Sequence, residues 1–450
     1  MPVKFTLLKG GCLVDPLQGI HGLRDILVAG GKVAAVGPAL GEGCLPGLDP
    51  ASFKEKVEEV DVSGLVVLPG LIDLHVHLRE PGQEEKETIE SGCAAATAGG
   101  ITSLACMANT DPVVDNAEGV AYILGKVQSL KLAPRVYPVG ALTRGLEGEE
   151  LADLEPMAEA GAAAFSDDGR SLCSAALMAR GLEAALRLGR KVFSHCEEPG
   201  LTRGVMNEGE VSRRLGLPGS PATAEALMVA RDLLLSAHTK CPLHIQHVST
   251  AQAVDLIAWA KDKGYPVTAE ATPHHLLLSE EAVEVYGANA KMSPPLRHRA
   301  DGERLIRGLK EGVIDCIATD HAPHTAGEKA RGLAAAPFGV VGLETALPAL
   351  ITGLVETGIL TLDELVERFS LAPARILGIP GGTLSPGSPA DITVVDMQES
   401  REVKGEDFQS LGKNTPFEGK ILKGWPVMTV LGGNPVPLRA ENRKRRGGGA

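Results

Sequence analysis

Between residue 71 and about residue 320 the chain alternates short apolar runs with helical, Ala/Leu/Glu-rich segments, and it does so eight times. The runs are LIDLHVHL (71–78), ITSLACM (101–107), RVYPVGA (135–141), GAAAFS (161–166), KVFSHC (191–196), PLHIQH (242–247), YPVTAEA (265–271) and VIDCIAT (313–319). Strands interleaved with helices form a parallel sheet with crossover helices. The near-continuous hydrophobicity of these runs is that of strands buried on both faces. Eight strand–helix units are what a closed (β/α)8 TIM barrel needs. The expected class is therefore α/β.

The flanks differ. Residues 3–69 carry glycine-punctuated, alternating segments such as DILVAGGKVAAVG, and residues 383–431 carry PADITVVDM and GWPVMTVLGG. Neither flank alone offers many strands, so both chain ends are expected to combine into one small β-sandwich beside the barrel. The expected boundaries are 1–69 for the first part of that sandwich, 70–377 for the barrel, and 378–450 for the second part with a basic tail. GIPGGTLSPGSPA (378–390) reads as the hinge out of the last barrel helix.

Composition narrows the function classes. A chain of 450 residues, 44% hydrophobic, fits a soluble globular protein. The formal charge of −13 argues against a nucleic-acid or anionic-membrane partner, and the closing RAENRKRRGGGA reads as a solvated tail. Eight cysteines scattered singly, with no CxxC pair, suit a reducing compartment. The opening MPVKFTLLKGG has no long apolar stretch, and nowhere do about 18 uncharged apolar residues run together. A cytoplasmic protein is expected.

In such a barrel, reactive groups gather at the C-terminal ends of the strands, where the loops line a shared mouth. His75 and His77 close the first run, Asn109 follows the second, and Asp167 and Asp168 follow the fourth. His195 ends the fifth and His247 the sixth; His274 and His275 follow the seventh; Asp320, His321 and His324 follow the eighth. Of 12 histidines, only His21, His238 and His298 lie away from this rim, with His244 inside a strand. Side chains alternate with period two along a strand, so Asp73, His75 and His77 are expected on one face. Two imidazoles at i and i+2 can then reach one metal ion. A lone histidine is more often an ordinary hydrogen-bonded residue, but this concentration argues for metal. Imidazole and carboxylate donors without thiolate point to Zn2+ or another borderline divalent ion held for catalysis. Cys196 alternates to the opposite face from His195 and reads as core.

DLHVHLREPG, FSDDG, TPHHL, ATDHAPHT and PFGVVGLET resemble the class I bacterial dihydroorotases of the amidohydrolase superfamily over nearly the whole chain. The resemblance implies reversible, zinc-dependent cyclisation of N-carbamoyl-L-aspartate to L-dihydroorotate. It also implies a metal set: His75, His77 and Asp320 on one zinc, His195 and His247 on a second, and Asp167 as the bridge. Asp168 can exchange with Asp167 in that assignment, and motif position alone selects Asp167. A common relative bridges its metals with a carboxylated lysine, but AAAFSDDGRS holds no lysine. That disfavours hydantoinase and allantoinase types.

Asp320 is the expected proton carrier as well as a ligand. The substrate's unreactive carboxylate calls for a planar fork of donors, which Arg79 supplies. The resemblance adds Asn109 and His324 as its helpers, with the backbone of Pro337 and Gly339 binding the ring amide. Residues 325–342, TAGEKARGLAAAPFGVVG, read as a mobile loop over the site. Where the family usually has asparagine in KMNPPLR, this chain reads KMSPPLR, with Ser293. Asp73 is expected to support the histidines, and His274 and His275 to pack around them. The resemblance further implies a homodimer and association with aspartate carbamoyltransferase. Two rivals are a hydantoinase or dihydropyrimidinase-type hydrolase, and an inactive scaffold for that transferase.

Overall fold

The computed structural model describes residues 5–40 and 57–438. Cys44 and the basic tail fall outside the described residues.

The first five strands are β1 (Phe5–Asp15), β2 (Ile20–Ala29), β3 (Lys32–Gly37), β4 (Val57–Asp61) and β5 (Val66–Pro69). The eight barrel strands follow: β6 (Leu71–Val76), β7 (Ile101–Cys106), β8 (Arg135–Gly140), β9 (Ala164–Ser166), β10 (Lys191–Ser194), β13 (Leu243–Ile245), β14 (Val267–Ala271) and β15 (Cys316–Ile317). Between β10 and β13, β11 (Met206–Asn207) and β12 (Gly219–Ser220) form a separate short pair. The chain closes with β16 (Ile392–Glu402), β17 (Ile421–Leu431) and β18 (Asn434–Pro437).

Each barrel strand falls inside one of the eight apolar runs. They pair in parallel in chain order, β6 through β15, and a parallel bridge between Val76 and His321 joins the two edges. Ile72, Leu74, Ala105, Val139, Ala164, Phe193 and Cys316, from six of the barrel strands, pack into one cluster that Ala374 and Ile376 of the helix Ala372–Leu377 join. A larger apolar cluster lies between the strands and the surrounding helices.

Both chain ends share a second sheet in the order β18-β17-β16-β5-β1-β2-β3, with β4 beside β1. β16 pairs antiparallel with β5, the strand that leads directly into the barrel. One core serves both ends: Leu8, Leu13, Ile26 and Val67 pack with Ile392, Val394 and Val430.

β6 departs from strict alternation. Its register with β7 shifts after Leu71 and again between Asp73 and Val76. Asp73 therefore takes a different partner from the histidines. Its carboxylate accepts from Thr319 N (3.0 Å), Thr319 Oγ1 (2.6 Å) and His75 N (3.1 Å), tying the first barrel strand to the last. Burial pushes the Asp73 carboxyl up to about 7 despite those bonds.

Candidate active site

Four imidazoles and two carboxylates converge at the C-terminal mouth of the barrel. Asp168 lies at the centre: Oδ1 is 3.3 Å from His75 Nε2, 3.5 Å from His195 Nδ1 and 3.6 Å from His247 Nε2, while Oδ2 is 3.4 Å from His77 Nε2. Asp320 Oδ1 is 3.1 Å from His77 Nε2 and 3.5 Å from His75 Nε2. His195 Nδ1 and His247 Nε2 stand 2.9 Å apart. Two sets, His75/His77/Asp320 and His75/Asp168/His247, place their ligand atoms within 4.8 Å of one another.

The structure does not bring Asp167 into this cluster. Its Oδ1 accepts from the backbone N–H groups of Leu142 and Thr143 (both 2.9 Å), and its Oδ2 from Thr143 Oγ1 (2.5 Å). Adjacent residues leaving a strand face opposite ways. Asp167 turns toward the loop after β8, and Asp168 turns inward to the place expected for Asp167.

The outer nitrogen of each of three imidazoles is held by an acceptor. His75 Nδ1 is 2.8 Å from Glu270 Oε1, His77 Nδ1 is 2.8 Å from Asn109 Oδ1, and His195 Nε2 is 3.2 Å from Glu197 Oε2. With the proton on the outer nitrogen, the inner one presents a bare lone pair. His75 Nε2, the nitrogen that faces Asp168 and Asp320, is buried without a hydrogen-bond partner. Lone pairs aimed at two carboxylates repel unless a positive charge stands among them. This donor set, nitrogen and oxygen without sulfur, fits a borderline divalent cation.

The electrostatics agree. Burial alone would raise Asp168 and Asp320, yet the surrounding histidines hold both carboxyls well below their usual range. Burial opposes charge on His195, but Asp168 and Glu197 push it up to about 10, so this imidazole calls for a positive charge, which a divalent cation would supply in place of a second proton. Backbone strain gathers here as well. Of the five non-glycine residues with positive φ among the described residues, three are Arg79 (62°), His247 (32°) and Asp320 (48°).

A cavity of about 760 Å3 opens above the cluster, lined by Arg79, Asn109, Ser293, His324, Pro337 and Gly339 among others. Arg79 Nε donates to Pro323 O (3.2 Å), and Nη2 is 3.3 Å from His324 Nε2. His324 Nε2 is also 2.7 Å from Phe338 O, a pure acceptor, so that nitrogen carries a proton. The His324 proton is thus already given to Phe338 O, and the pair of terminal Arg79 nitrogens has no acceptor among the described residues. An anion is what such a pair lacks.

Ser293 Oγ donates to Glu197 Oε2 (2.5 Å). Pro337 O accepts from Lys329 Nζ (3.0 Å), and Gly339 N donates to Lys291 O (2.9 Å). A Cβ on Gly339 would stand 2.7 Å from Ala322 O and 2.9 Å from His324 Nε2, so glycine alone lets the loop approach this closely. The 325–342 segment carries two short helices, Ala326–Lys329 and Gly332–Ala335. Lys291 Nζ ties it down through Leu333 O (2.7 Å) and Ala336 O (2.6 Å).

His275 is held by Thr272 Oγ1 (2.8 Å) and Pro294 O (3.0 Å) and stacks near His274, both buried, in keeping with packing roles. Cys196 is buried as expected. Sequence reasoning missed Glu270, Glu197, Lys291 and Lys329. The one available signal for Glu270 was a charged residue inside the apolar run YPVTAEA.

A parallel barrel carrying a histidine–aspartate cluster at its strand ends defines the amidohydrolase class, and comparisons with known proteins narrow it. A family model described as Dihydro-orotase-like matches residues 64–253. The dihydroorotase of Pelotomaculum thermopropionicum is 50% identical over 431 residues, covering 96% of this chain and 98% of that one. The dihydroorotase of Aquifex aeolicus is 44% identical, with the same two shares covered. Among solved structures, the L-hydantoinase (dihydropyrimidinase) of Arthrobacter aurescens matches with a TM-score of 0.83 and 26% identity, covering 96% of each chain. A D-hydantoinase matches at 0.82 and 25%, over 96% of this chain and 95% of that one. The chain belongs to the dihydroorotase family.

Proposed function

We propose that this chain is a zinc-dependent dihydroorotase. It closes N-carbamoyl-L-aspartate to L-dihydroorotate with release of water, the third step of de novo pyrimidine biosynthesis, and opens the ring in reverse. The observation that carries this substrate is the pair of Arg79 terminal nitrogens, left without an acceptor on the cavity wall beside the histidine–aspartate cluster. A hydantoin or dihydropyrimidine ring has no carboxylate to place there.

His75, His77 and Asp320 would hold one zinc and His195 with His247 a second, with Asp168 as the bridge in place of Asp167. A divalent metal bound there would supply a water acidified toward a pKa of about 7 and would polarise the ring carbonyl. Arg79 grips the unreactive carboxylate, with His324 beside it, which fixes the ring against the cluster. Asn109 keeps His77 oriented through its Nδ1 and stands at the edge of the substrate's place. In ring opening, Asp320 takes a proton from the attacking water and hands it to the departing ring nitrogen as the C–N bond breaks. In ring closure it takes the ureido proton and returns it to the departing oxygen. Ser293, Pro337 and Gly339 bound the amide side of the ring.

The same reading assigns residues 70–377 to the catalytic barrel and the two ends, 1–69 and 378–450, to the β-domain. It includes a homodimer, favoured by exposed Leu227, Leu234 and Trp259 on outer helices, and association with aspartate carbamoyltransferase, which rests on the resemblance. It also includes a cytoplasmic location; among the described residues no helix is long and apolar enough to cross a membrane.

The test is turnover of dihydroorotate, hydantoin and 5,6-dihydrouracil by purified protein with added zinc, alongside metal content per chain. Dihydroorotate is the expected substrate, with activity lost in Asp320→Asn. Turnover of hydantoin without dihydroorotate would show the substrate assignment to be wrong.

A further inference from the structure

Glu197 stands two residues beyond His195 on the loop leaving β10, and it is 4% exposed. The turn that carries it is pinned. Its backbone N–H donates to Ser171 Oγ (2.9 Å), and that hydroxyl donates to His195 O (3.0 Å). Three groups face the carboxylate. His195 Nε2 at 3.2 Å and Ser293 Oγ at 2.5 Å both meet Oε2, while Arg297 Nη2 lies 4.0 Å from Oε1.

A serine hydroxyl has one proton and two lone pairs, whereas a carboxylate only accepts. The Ser293 proton is therefore spent on Glu197. What Ser293 turns to the cavity is its lone pairs, so any ligand group meeting it must be a donor.

We propose that Glu197 is a positioning residue that fixes Ser293 as a hydrogen-bond acceptor, so that this wall of the cavity reads an N–H of the cyclic amide and discriminates against a bare carbonyl. The proposal rests on the cavity being the dihydroorotase site. It also accounts for serine where the resembling family has asparagine. A carboxamide at 293 would give its NH2 to Glu197 and turn its oxygen to the cavity, presenting the same polarity. Alanine presents nothing. The same Oε2 takes the His195 Nε2 proton, which leaves Nδ1 bare toward the cluster, so one carboxylate orients a candidate metal ligand and a substrate contact together.

The test is steady-state kinetics and metal content for Ser293→Ala, Ser293→Asn, Glu197→Gln and the double variant Glu197→Gln/Ser293→Ala. Ser293→Ala is expected to raise KM roughly fivefold to tenfold, the size of one lost neutral hydrogen bond, with a smaller fall in kcat. Ser293→Asn recovers most of that loss. Glu197→Gln raises KM because its amide can donate to Ser293 and turn the hydroxyl proton into the cavity. In the Ser293→Ala background it adds no further rise in KM, although kcat falls through His195.

A lower KM in Glu197→Gln overturns the proposal, since the carboxylate would then have been competing for a proton the substrate wants. KM effects that multiply as independent changes overturn it too. If Glu197→Gln melts too low to assay, the Ser293 pair decides: equal KM in the alanine and asparagine variants is refutation. Wild-type turnover of dihydroorotate checks the functional reading separately, and should another cyclic amide prove the substrate, the same cycle is read on that amide.

Discussion

Arg79→Met isolates the carboxylate-binding argument. Arg79 is 8% exposed, and its Nε is already committed to Pro323 O. The two terminal nitrogens remain for the substrate. A hydrogen bond to a charged group contributes about 1.5–3 kcal/mol, so losing a two-armed grip costs about 3–4 kcal/mol, or roughly 10^2 to 10^3 in kcat/KM. Arg79→Lys keeps the charge but replaces the fork with a single ammonium, and a loss of roughly tenfold is expected. The assay compares dihydroorotate with 5,6-dihydrouracil, which has the ring but no carboxylate, using inhibition constants where the second rate is too low. The loss in Arg79→Met must fall on dihydroorotate far more than on dihydrouracil. Arg79 sits at φ 62°, a strain that methionine shares, and loss of the Nε bond to Pro323 is monitored by thermal melting. Equal losses on both substrates, in a protein that melts normally, would show that Arg79 props the loop rather than holding the anion.

Two further outcomes follow from the same geometry. Asp168→Asn should lose most of the bound metal, whereas Asp167→Ala should keep it and melt lower, because the Leu142 and Thr143 N–H groups lose their acceptor at a cost of about 1–3 kcal/mol; metal counting and melting curves on the two proteins distinguish them, and metal loss in Asp167→Ala alone would reverse the bridge assignment. Burial, with Lys291 nearby, pushes Lys329 down to about 7 from the 10.5 of a free lysine. Between those two values the unfolded chain binds more protons than the folded one, so stability rises with pH and this contribution is lost as pH falls toward 7. The margin of wild type over Lys329→Met in thermal melting should therefore grow from pH 7 to about pH 10, and a margin that shrinks would show that the carbonyls of Ala288, Lys291 and Pro337 keep the ammonium charged.

The barrel was legible because strands buried on both faces are written as unbroken apolar runs, and each of the eight runs holds one strand. The rim was legible for a related reason: a polar side chain that ends such a run has only the mouth to go to, as His75, His195 and His247 do. Asp167 and Asp168 were not separable in this way. Both follow β9, and which one turns inward is set by two backbone N–H groups 24 and 25 residues earlier, a demand that no local pattern carries. Asp73 was misplaced on the histidine face because alternation presumes an even ladder, and β6 slips register twice.

Glu270 shows the same limit from the other side. In its own strand it is a charge in an apolar run, which local rules score as a fault. Only closure of the barrel brings it to His75, 195 residues away, while the neighbouring strand β13 brings it His244 at 3.0 Å. Those bonds pull its carboxyl down to about 2 against burial. Candidate ligands are thus announced locally, because each must end a strand, while the groups that orient them come from wherever the cylinder happens to close. A buried charge that breaks a strand's apolar pattern is best treated as a question about what lies across the barrel, and here the answer is His75, the imidazole common to the His75/His77/Asp320 and His75/Asp168/His247 sets.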